Sequence, residues 1–362
     1  MVPRGRGTSR GCGGGRKTRR RGAGVHFIGV DGGGTKTAFS LYDGDLRRID
    51  TLQGPTSHFA QAGLDGMLRV LADGIGTLAR RNGVEDYGIG FGLAGYGAQR
   101  SVRERIEECV GKVAGGHPFE LVNDGQAARA AALDLADGIV LVSGTGSIGY
   151  GVRGGSERRC GGWGYQVGDE GSGWWIGKRL LAAFARESDG RSPRGALHDV
   201  VMRELTLSEE YDVIGYVRDT LGDDRTKVAA LGRLAAEAAR QGDPVARAIY
   251  EDAARELAQL ARALVDELFA GDAAAGAGAG EADAAGTEPG AAAGAAAGAE
   301  PGAAAGAPVR TTYVGGVFRV GELVLEPLRA ALPERCELVP PAHDPDLGAV
   351  LLLRRRLERE EG

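Results

Sequence analysis

Short apolar runs separated by glycine-rich turns characterise the chain from residue 25 onward. The run "VHFIGV" precedes the stretch "GVDGGGTKT" (residues 29–37), and "TKTAFSLYD" follows it with roughly alternating β-branched and aromatic residues. A second turn, "DGD", leads into "LRRIDTL". A period of two in the apolar residues is typical of β-strands. The pattern therefore predicts a three-stranded antiparallel meander whose first turn is the glycine-rich loop.

That first turn almost matches a P-loop but differs from one in two respects. Gly29 and Gly34 have the P-loop spacing, yet Thr35 stands where the phosphate-binding lysine should be, and a strand follows instead of a helix. Successive glycines can still let backbone N–H groups approach phosphate oxygens, because no side chain blocks the ligand. Asp31 adds a carboxylate near the place where a Mg²⁺ ion would sit. The alternative is a tight hairpin that needs glycine only for positive φ.

The same pattern returns farther along the chain. The segment "ADGIVLVSGTGSIGYGV" again places a small-residue turn between two apolar strands. Upstream, "FELVNDGQAARAAALDLA" puts Asn123 and Asp124 at the end of a strand, before an alanine-rich helix. A carboxylate there is well placed to accept a proton, although Asp124 could instead cap the helix. Later, "YVGGVFRVGELVLEPLRAAL" predicts a strand, a turn at Gly315 and Gly316, and an amphipathic helix.

Composition indicates a globular protein. The 362 residues are enough for two domains with substantial cores, and the hydrophobic and charged fractions, 43% and 26%, are ordinary. No apolar run is long enough to span a bilayer and no signal-peptide pattern is present, so we expect no membrane contact and a cytoplasmic location. Four scattered cysteines without a CxxC pair argue against a disulfide framework and against a zinc or iron–sulfur site.

Two segments of biased composition are not expected to carry chemistry. Residues 1–24 contain eight Lys or Arg and no acid, whereas the rest of the chain has 36 basic and 49 acidic residues. A basic tail can bind nucleic acid, but this one has no aromatic residue and no periodicity, so a disordered extension that binds no nucleic acid is favoured. Residues 271–307 are mostly Ala and Gly, with "EPGAAAGA" present twice, which predicts a disordered insertion.

Several segments, taken in order, make the chain resemble a known family. They are "GVDGGGTKT", "LVNDG", "VLVSGTGS", "CGGWGYQVGDEGSGWWIG" and "VGGVFR". Together they are similar to the N-acetylglucosamine kinase group of the BadF/BadG/BcrA/BcrD ATPase family, in the actin, sugar-kinase and Hsp70 superfamily. The resemblance implies an α/β fold with two RNase H-like (βββαβα) domains around a nucleotide cleft. We expect these domains at residues 25–136 and 137–344, with a C-terminal helix at about 345–360 packing back on the first.

The resemblance also implies roles for individual residues. The phosphates of ATP would be bound by two loops, the first formed by Gly33, Gly34 and Thr35 and the second by Gly144, Thr145 and Gly146. The adenosine would lie against the turn at Gly315 and Gly316, with Phe318 nearby. Asp124 matches the family's catalytic aspartate at the sugar hydroxyl. The sugar would be held by Gly161, Gly162, Trp163 and Asp169, and by a loop with Ser57 and His58, in which Ser57 replaces the usual Asn.

The tryptophans bear on the sugar site, because Trp163, Trp174 and Trp175 all lie in one short segment. Burial in the core is the usual role of tryptophan, and we expect it for at least one of Trp174 and Trp175. Trp163 is flanked by glycines that leave its ring accessible, which favours a sugar-facing role.

The expected activity is phosphorylation of an amino-sugar hydroxyl with ATP and Mg²⁺, from N-acetylglucosamine to N-acetylglucosamine 6-phosphate, with glucosamine as an alternative substrate. A rival within the wider family is an ATPase coupled to a protein partner through an iron–sulfur cluster, for which suitable cysteine pairs are missing. A sugar-sensing transcription regulator would need a DNA-binding helix pair, which the tail does not offer. The helical pattern "GDPVARAIYEDAARELAQLARALVDELF" predicts a packing helix and allows a homodimer contact.

Overall fold

The apolar runs of the first third form a mixed five-stranded sheet. The structure is a computed structural model that describes residues 26–97, 100–270 and 307–361. Strands β1 (His26–Gly32), β2 (Lys36–Tyr42) and β3 (Arg48–Pro55) pair antiparallel, which confirms the predicted meander. Strands β4 (Tyr87–Leu93) and β5 (Phe119–Asn123) add in parallel, giving the order β3-β2-β1-β4-β5. Residues 1–25 and 271–306, which include the predicted tail and nearly all of the predicted insertion, lie outside the described residues.

Helices cover the first sheet, which is the core of the first lobe. They are α1 (Phe59–Asn82), α2 (Arg100–Ala114), α3 (Asp124–Leu133) and the C-terminal helix α11 (Pro345–Glu361). Helix α11 packs on β1, β4 and α3, so the end of the chain completes the first lobe. Glycines permit this contact: a Cβ at Gly29 would lie 2.0 Å from the carbonyl oxygen of Asp346, and one at Gly90 would lie 2.4 Å from the backbone nitrogen of Val350.

The second lobe repeats the strand order of the first. Strands β6 (Gly138–Ser143), β7 (Ser147–Arg153) and β8 (Ser156–Gly161) form an antiparallel meander, and β9 (Val309–Val314) and β10 (Cys336–Leu338) add in parallel. The order β10-β9-β6-β7-β8 corresponds strand for strand to the first sheet. The predicted α/β class, with two RNase H-like units, is confirmed by this repetition.

The helices of the second lobe build its larger hydrophobic core. Their bounds are α4 (Gly173–Ser188), α5 (Ala196–Glu204), α6 (Asp212–Tyr216), α7 (Arg225–Ala230), α8 (Gly232–Arg240), α9 (Pro244–Leu268) and α10 (Glu322–Ala331), with a π-helical turn at Val217–Leu221 and a 3₁₀ turn at Val317–Val320. The apolar stripe of α9 is buried against β7 and α10, so that stripe is used inside the lobe. Within the described residues, no helix combines the length and the apolar character that crossing a membrane requires.

Candidate active site

The first glycine-rich loop joins β1 to β2 and is open to solvent. Its turn is closed by a hydrogen bond from the Gly33 N–H to the Lys36 carbonyl at 3.0 Å. Gly34 and Thr35 are exposed, and the atom nearest to a Cβ placed on Gly34 would be 3.8 Å away. None of the three glycines adopts positive φ. The hairpin interpretation, in which glycine serves only left-handed backbone, therefore does not account for this loop, whereas access for a ligand does.

The second loop, residues 144–146, occupies the equivalent position between β6 and β7. The Gly144 N–H donates to the Gly146 carbonyl at 2.9 Å, and the first N–H groups of α4 donate to the carbonyls of Gly144 and Thr145 at 2.8 and 3.3 Å. The turn at Gly315 packs on the base of this loop. Gly315 has φ of 120°, and a Cβ there would lie 2.2 Å from the carbonyl oxygen of Ser143. Only glycine fits that close backbone approach.

Phe318 follows this turn but does not face solvent. Its side chain is 6% exposed and packs on Tyr313, with ring centroids 5.0 Å apart. Gly315 and Gly316 are exposed beside it. The exposed part of the turn is thus its glycine backbone, and the Phe318 ring belongs to the core of the second lobe.

Asp124 is the first residue of α3, and the residue before it caps the helix. The Asn123 Oδ1 accepts a hydrogen bond from the Gln126 N–H at 2.7 Å, and the Gln126 Oε1 accepts from the Asn123 N–H at 3.4 Å, which together form a capping box. Desolvation by the surrounding protein raises the pKa of the Asp124 carboxyl although the side chain remains accessible to solvent, and a hydrogen bond from the Gly125 N–H partly offsets this effect. A carboxylate with a raised pKa is a stronger base near neutral pH.

Other charged and aromatic groups converge on Asp124. Burial, together with the negative charges of Asp124 and Asp346, raises the pKa of Asp31 to about 6, and Lys36 opposes this rise. His58 caps α1, where its Nδ1 accepts a hydrogen bond from the Ala60 N–H at 3.3 Å, and its imidazole lies close enough to Asp124 to lower the pKa of that carboxyl.

Tyr150 of β7 lies next to the start of α3. Its ring lies across Gly125, where a Cβ would be 2.3 Å from the Tyr150 Cε2. The structure thus brings the end of β1, the start of α1, the start of α3 and the middle of β7 to one place.

Two residues predicted to contact the sugar are engaged elsewhere. Ser57 is 1% exposed and accepts a hydrogen bond from the buried Thr37 hydroxyl at 3.0 Å, beneath Gly32. Asp169 is 5% exposed, lies under the second loop next to Gly146, and accepts hydrogen bonds from the Ser147 and Gly164 N–H groups. In this structure the polar atoms of each side chain make hydrogen bonds to neighbouring segments of the chain and do not face solvent. Each side chain therefore positions a loop.

The segment after β8 presents Trp163 to solvent. Gly161 and Gly162 have φ of 75° and 71°, and Trp163 follows with 72% of its surface exposed. Trp174 and Trp175 are partly buried against the core of the second lobe, in agreement with a packing role. The guanidinium of Arg159 lies over the Trp163 ring, 5.9 Å from its centroid.

Sequence reasoning missed Lys36, Tyr150 and Asp346. Of the three, Lys36 was the easiest to identify as a site residue from the sequence, because it belongs to the glycine-rich stretch at residues 29–37. Tyr150 looked like an ordinary alternating strand residue. Asp346 lies some three hundred residues from Asp31 along the chain, and only the packing of α11 on β1 brings the two carboxyl groups close enough to interact. No local pattern could have signalled that relationship.

Comparison with known proteins agrees with this geometry. The sequence profile of the BadF/BadG/BcrA/BcrD ATPase family matches residues 28–274. An N-acetylmuramic acid/N-acetylglucosamine kinase from Clostridium acetobutylicum is 32% identical over 249 residues, covering 67% of this chain and 80% of that protein. An N-acetyl-D-glucosamine kinase from Dictyostelium discoideum is 30% identical, with 67% and 80% coverage. The structure of a candidate N-acetylglucosamine kinase from Chromobacterium violaceum superposes with a TM-score of 0.62 at 26% identity, covering 91% of this chain and 99% of that one.

Proposed function

The chain belongs to the BadF/BadG/BcrA/BcrD ATPase family, and we propose that it is an ATP-dependent amino-sugar kinase that converts N-acetylglucosamine to N-acetylglucosamine 6-phosphate. The observation that carries the proposal is the position of Asp124. Its carboxylate is accessible to solvent at the start of a helix, has a raised pKa, and is coupled electrostatically to Asp31, the residue that precedes the exposed glycine loop. That arrangement supports a base next to a phosphate-binding loop, which phosphoryl transfer to an alcohol requires.

In the proposed reaction Asp124 orients the sugar hydroxyl and accepts its proton. The hydroxyl oxygen attacks the γ-phosphorus of ATP, and the bond from that phosphorus to the β,γ-bridging oxygen breaks, which releases ADP. The N–H groups of Gly33 and Gly144 close the turns of the two loops. The backbone N–H groups of Gly34 and Thr35, and of Thr145 and Gly146, bind the phosphates, since both loops are built from small residues. Gly315 and Gly316 lie against the adenosine. The positive charge of Lys36, next to the first loop, adds to the attraction for phosphate.

Asp31 fits the role of a Mg²⁺ ligand. Its pKa is raised by burial and by two neighbouring carboxylates, and a cation beside it would relieve that electrostatic cost. No group of three or more His, Cys, Asp or Glu side chains in residues 26–97, 100–270 and 307–361 is arranged to hold a metal ion. Mg²⁺ in kinases is commonly held by one or two carboxylates together with water and substrate phosphates, so a single carboxylate suffices. Bound there, the ion would neutralise charge on the transferred phosphoryl group.

The exposed ring of Trp163 supports a sugar as the acceptor. An exposed, flat aromatic face is suited to the apolar face of a pyranose ring. The names of the relatives from Clostridium acetobutylicum and Dictyostelium discoideum both include N-acetylglucosamine, which favours the N-acetylated sugar over glucosamine. Because it would consume ATP, we expect the enzyme to act in the cytoplasm.

The rival function, an ATPase coupled to a protein partner, receives no support from the three cysteines that the structure describes. Cys109 is buried, and Cys160 and Cys336 are partly buried free thiols on separate strands of the second lobe. Burial raises the pKa of all three, which disfavours the thiolate that a metal cluster needs.

A panel of free sugars tests the proposal directly. The purified protein is mixed with ATP, Mg²⁺ and each of N-acetylglucosamine, glucosamine, N-acetylmannosamine and glucose, and both ADP release and sugar phosphate are measured. We expect ADP release that depends on N-acetylglucosamine and equals the sugar phosphate formed. ATP hydrolysis at the same rate with and without any sugar would overturn the proposal.

A further inference from the structure

The hairpin of β7 and β8 turns one of its two faces toward helix α3. Glu157 of β8 is paired with Val152 of β7, and Tyr150 precedes Val152 by two residues. Glu157 and Tyr150 therefore lie on the same face, because strand side chains alternate with a period of two. From that face the Glu157 carboxylate accepts hydrogen bonds from Arg129 and Gln126 of α3, at 2.6 and 3.2 Å. The second lobe thus contacts α3 of the first lobe through the face that carries Tyr150.

The phenol of Tyr150 lies against the first turn of α3. A Cβ on Gly125 would be 2.3 Å from the Tyr150 Cε2 and 2.6 Å from its hydroxyl oxygen, so the ring edge and the hydroxyl both lie at the Gly125 backbone. Asp124 is the preceding residue, and its negative charge acts on the phenol. A hydroxyl from the second lobe and a carboxylate from the first lobe are therefore neighbours at the start of α3.

The Tyr150 hydroxyl has no hydrogen-bond partner in the part of the chain that the structure describes. The hydroxyls of Tyr42, Tyr96 and Tyr250, by contrast, each have one, at 2.7, 2.7 and 2.8 Å. The Tyr150 side chain is half-buried and its oxygen is not enclosed by protein, so the oxygen is open to a ligand. Burial and the charge of Asp124 raise the pKa of the phenol, which therefore keeps its proton at neutral pH and can donate it in a hydrogen bond.

We propose that Tyr150 is a further substrate-binding residue, whose hydroxyl donates a hydrogen bond to a hydroxyl of the sugar other than the one that Asp124 activates. The inference rests on the proposed kinase function and concerns the same site. Asp124 of the first lobe orients the reacting hydroxyl, and Tyr150 of the second lobe binds a second hydroxyl of the same sugar. The sugar is thereby held by both lobes at the start of α3, and the phosphoryl transfer itself is unchanged.

Tyr150→Phe tests the contact, because it removes the hydroxyl and keeps the ring against Gly125. We expect KM for N-acetylglucosamine to rise about 5- to 10-fold, with kcat and KM for ATP nearly unchanged, since one hydrogen bond made in both the ground state and the transition state is lost. The melting temperature of the ligand-free protein should not change, because the hydroxyl has no partner there.

Tyr250→Phe is the matched control. It removes the same atom from a tyrosine whose hydroxyl donates to the Gly232 carbonyl at 2.8 Å in the core of the second lobe. That variant should lower the melting temperature and leave KM for the sugar at the wild-type value. The two variants together separate a hydroxyl that binds substrate from one that stabilises the fold.

Deoxy sugars identify the hydroxyl that Tyr150 binds. Analogues of N-acetylglucosamine that lack the 1-, 3- or 4-hydroxyl are assayed with the wild-type protein and with Tyr150→Phe. For one analogue we expect the wild-type protein to lose as much kcat/KM as Tyr150→Phe loses with the parent sugar, and the two changes combined to cost no more than either alone.

Three results would overturn the contact while leaving the kinase function intact. They are an unchanged KM for N-acetylglucosamine in Tyr150→Phe, losses that add for all three analogues, and a rise in KM for ATP in place of the rise in KM for the sugar. If the wild-type protein formed no sugar phosphate from any of these sugars, the proposed function itself would be refuted.

Discussion

Asn123 caps helix α3 through a 2.7 Å hydrogen bond from the Gln126 N–H, so the carboxylate of the adjacent residue, Asp124, is not needed as the cap. The sequence alone left two roles open for Asp124, helix cap and catalytic base. The structure assigns the cap to Asn123 and leaves the Asp124 carboxylate accessible, near His58 and Tyr150. Asn123 thus has the structural role of helix cap, and the neighbouring Asp124 has the proposed chemical role of catalytic base.

Asp124→Asn should therefore lower turnover by about 10²-fold or more while leaving the melting temperature nearly unchanged. Asparagine keeps the size of the side chain and an acceptor oxygen for the Gly125 N–H, but it cannot take the proton of the sugar hydroxyl. Asn123→Ala is the matched control and should do the opposite, costing about 1 kcal/mol of stability. Thermal melts and sugar-kinase rates on the same preparations separate the two effects. An active but destabilised Asp124→Asn protein would return Asp124 to a structural role.

Asp31→Asn should stabilise the ligand-free protein at neutral pH. Folding raises the pKa of Asp31 from 3.8 to about 6, so the folded state binds this proton more tightly than the unfolded state. Wild-type stability should therefore fall relative to Asp31→Asn as pH rises from about 4 to about 6, by up to about 3 kcal/mol, and the difference should stay constant above that.

Denaturant unfolding of both proteins between pH 4.5 and 8 measures this difference. Asp45→Asn, at an exposed turn position, is the control and should show no such trend. Mg²⁺ with ATP should raise the melting temperature of the wild-type protein more than that of Asp31→Asn. A stability difference that does not change with pH would show that the Asp31 carboxyl does not have a raised pKa.

Ser57→Ala should destabilise the protein without a large change in KM for the sugar. The Ser57 hydroxyl is buried and bonded to Thr37, so its removal leaves a buried hydroxyl without an acceptor, at a cost of about 1 to 3 kcal/mol. The measurement is a pair of denaturant midpoints together with steady-state kinetics. If KM for N-acetylglucosamine instead rose about tenfold with no loss of stability, Ser57 would be a direct sugar contact, as its sequence position predicts.

The sequence predicted those features that depend on neighbouring residues. The meander around Gly33 and Gly34 followed from period-two alternation, and the strand-to-helix junction placed Asp124. What the sequence could not predict depends on packing between distant segments. Asp346 affects Asp31 only because glycines on β1 and β4 let α11 lie against the sheet. The burial of Ser57 and Asp169 is likewise tertiary, since each side chain is covered by a loop from elsewhere in the chain.

Replacing residues 272–306 with a short Gly/Ser linker should leave sugar phosphorylation within about twofold of the wild-type rate. The residues on either side of this segment lie close together, because both make hydrogen bonds to Arg335. The Arg335 side chain donates to the Phe269 carbonyl at 2.9 Å, and the Arg335 carbonyl accepts from the Val309 N–H at 2.7 Å. A few residues can therefore join the two ends. A shorter loop also has less closure entropy to lose, so the melting temperature should stay constant or rise, by no more than about 1 kcal/mol in stability. Rates and melts of the shortened and full-length proteins measure this. A soluble, folded variant with a large loss of activity would mean that the Ala/Gly-rich segment contributes to the site, against the prediction from its composition.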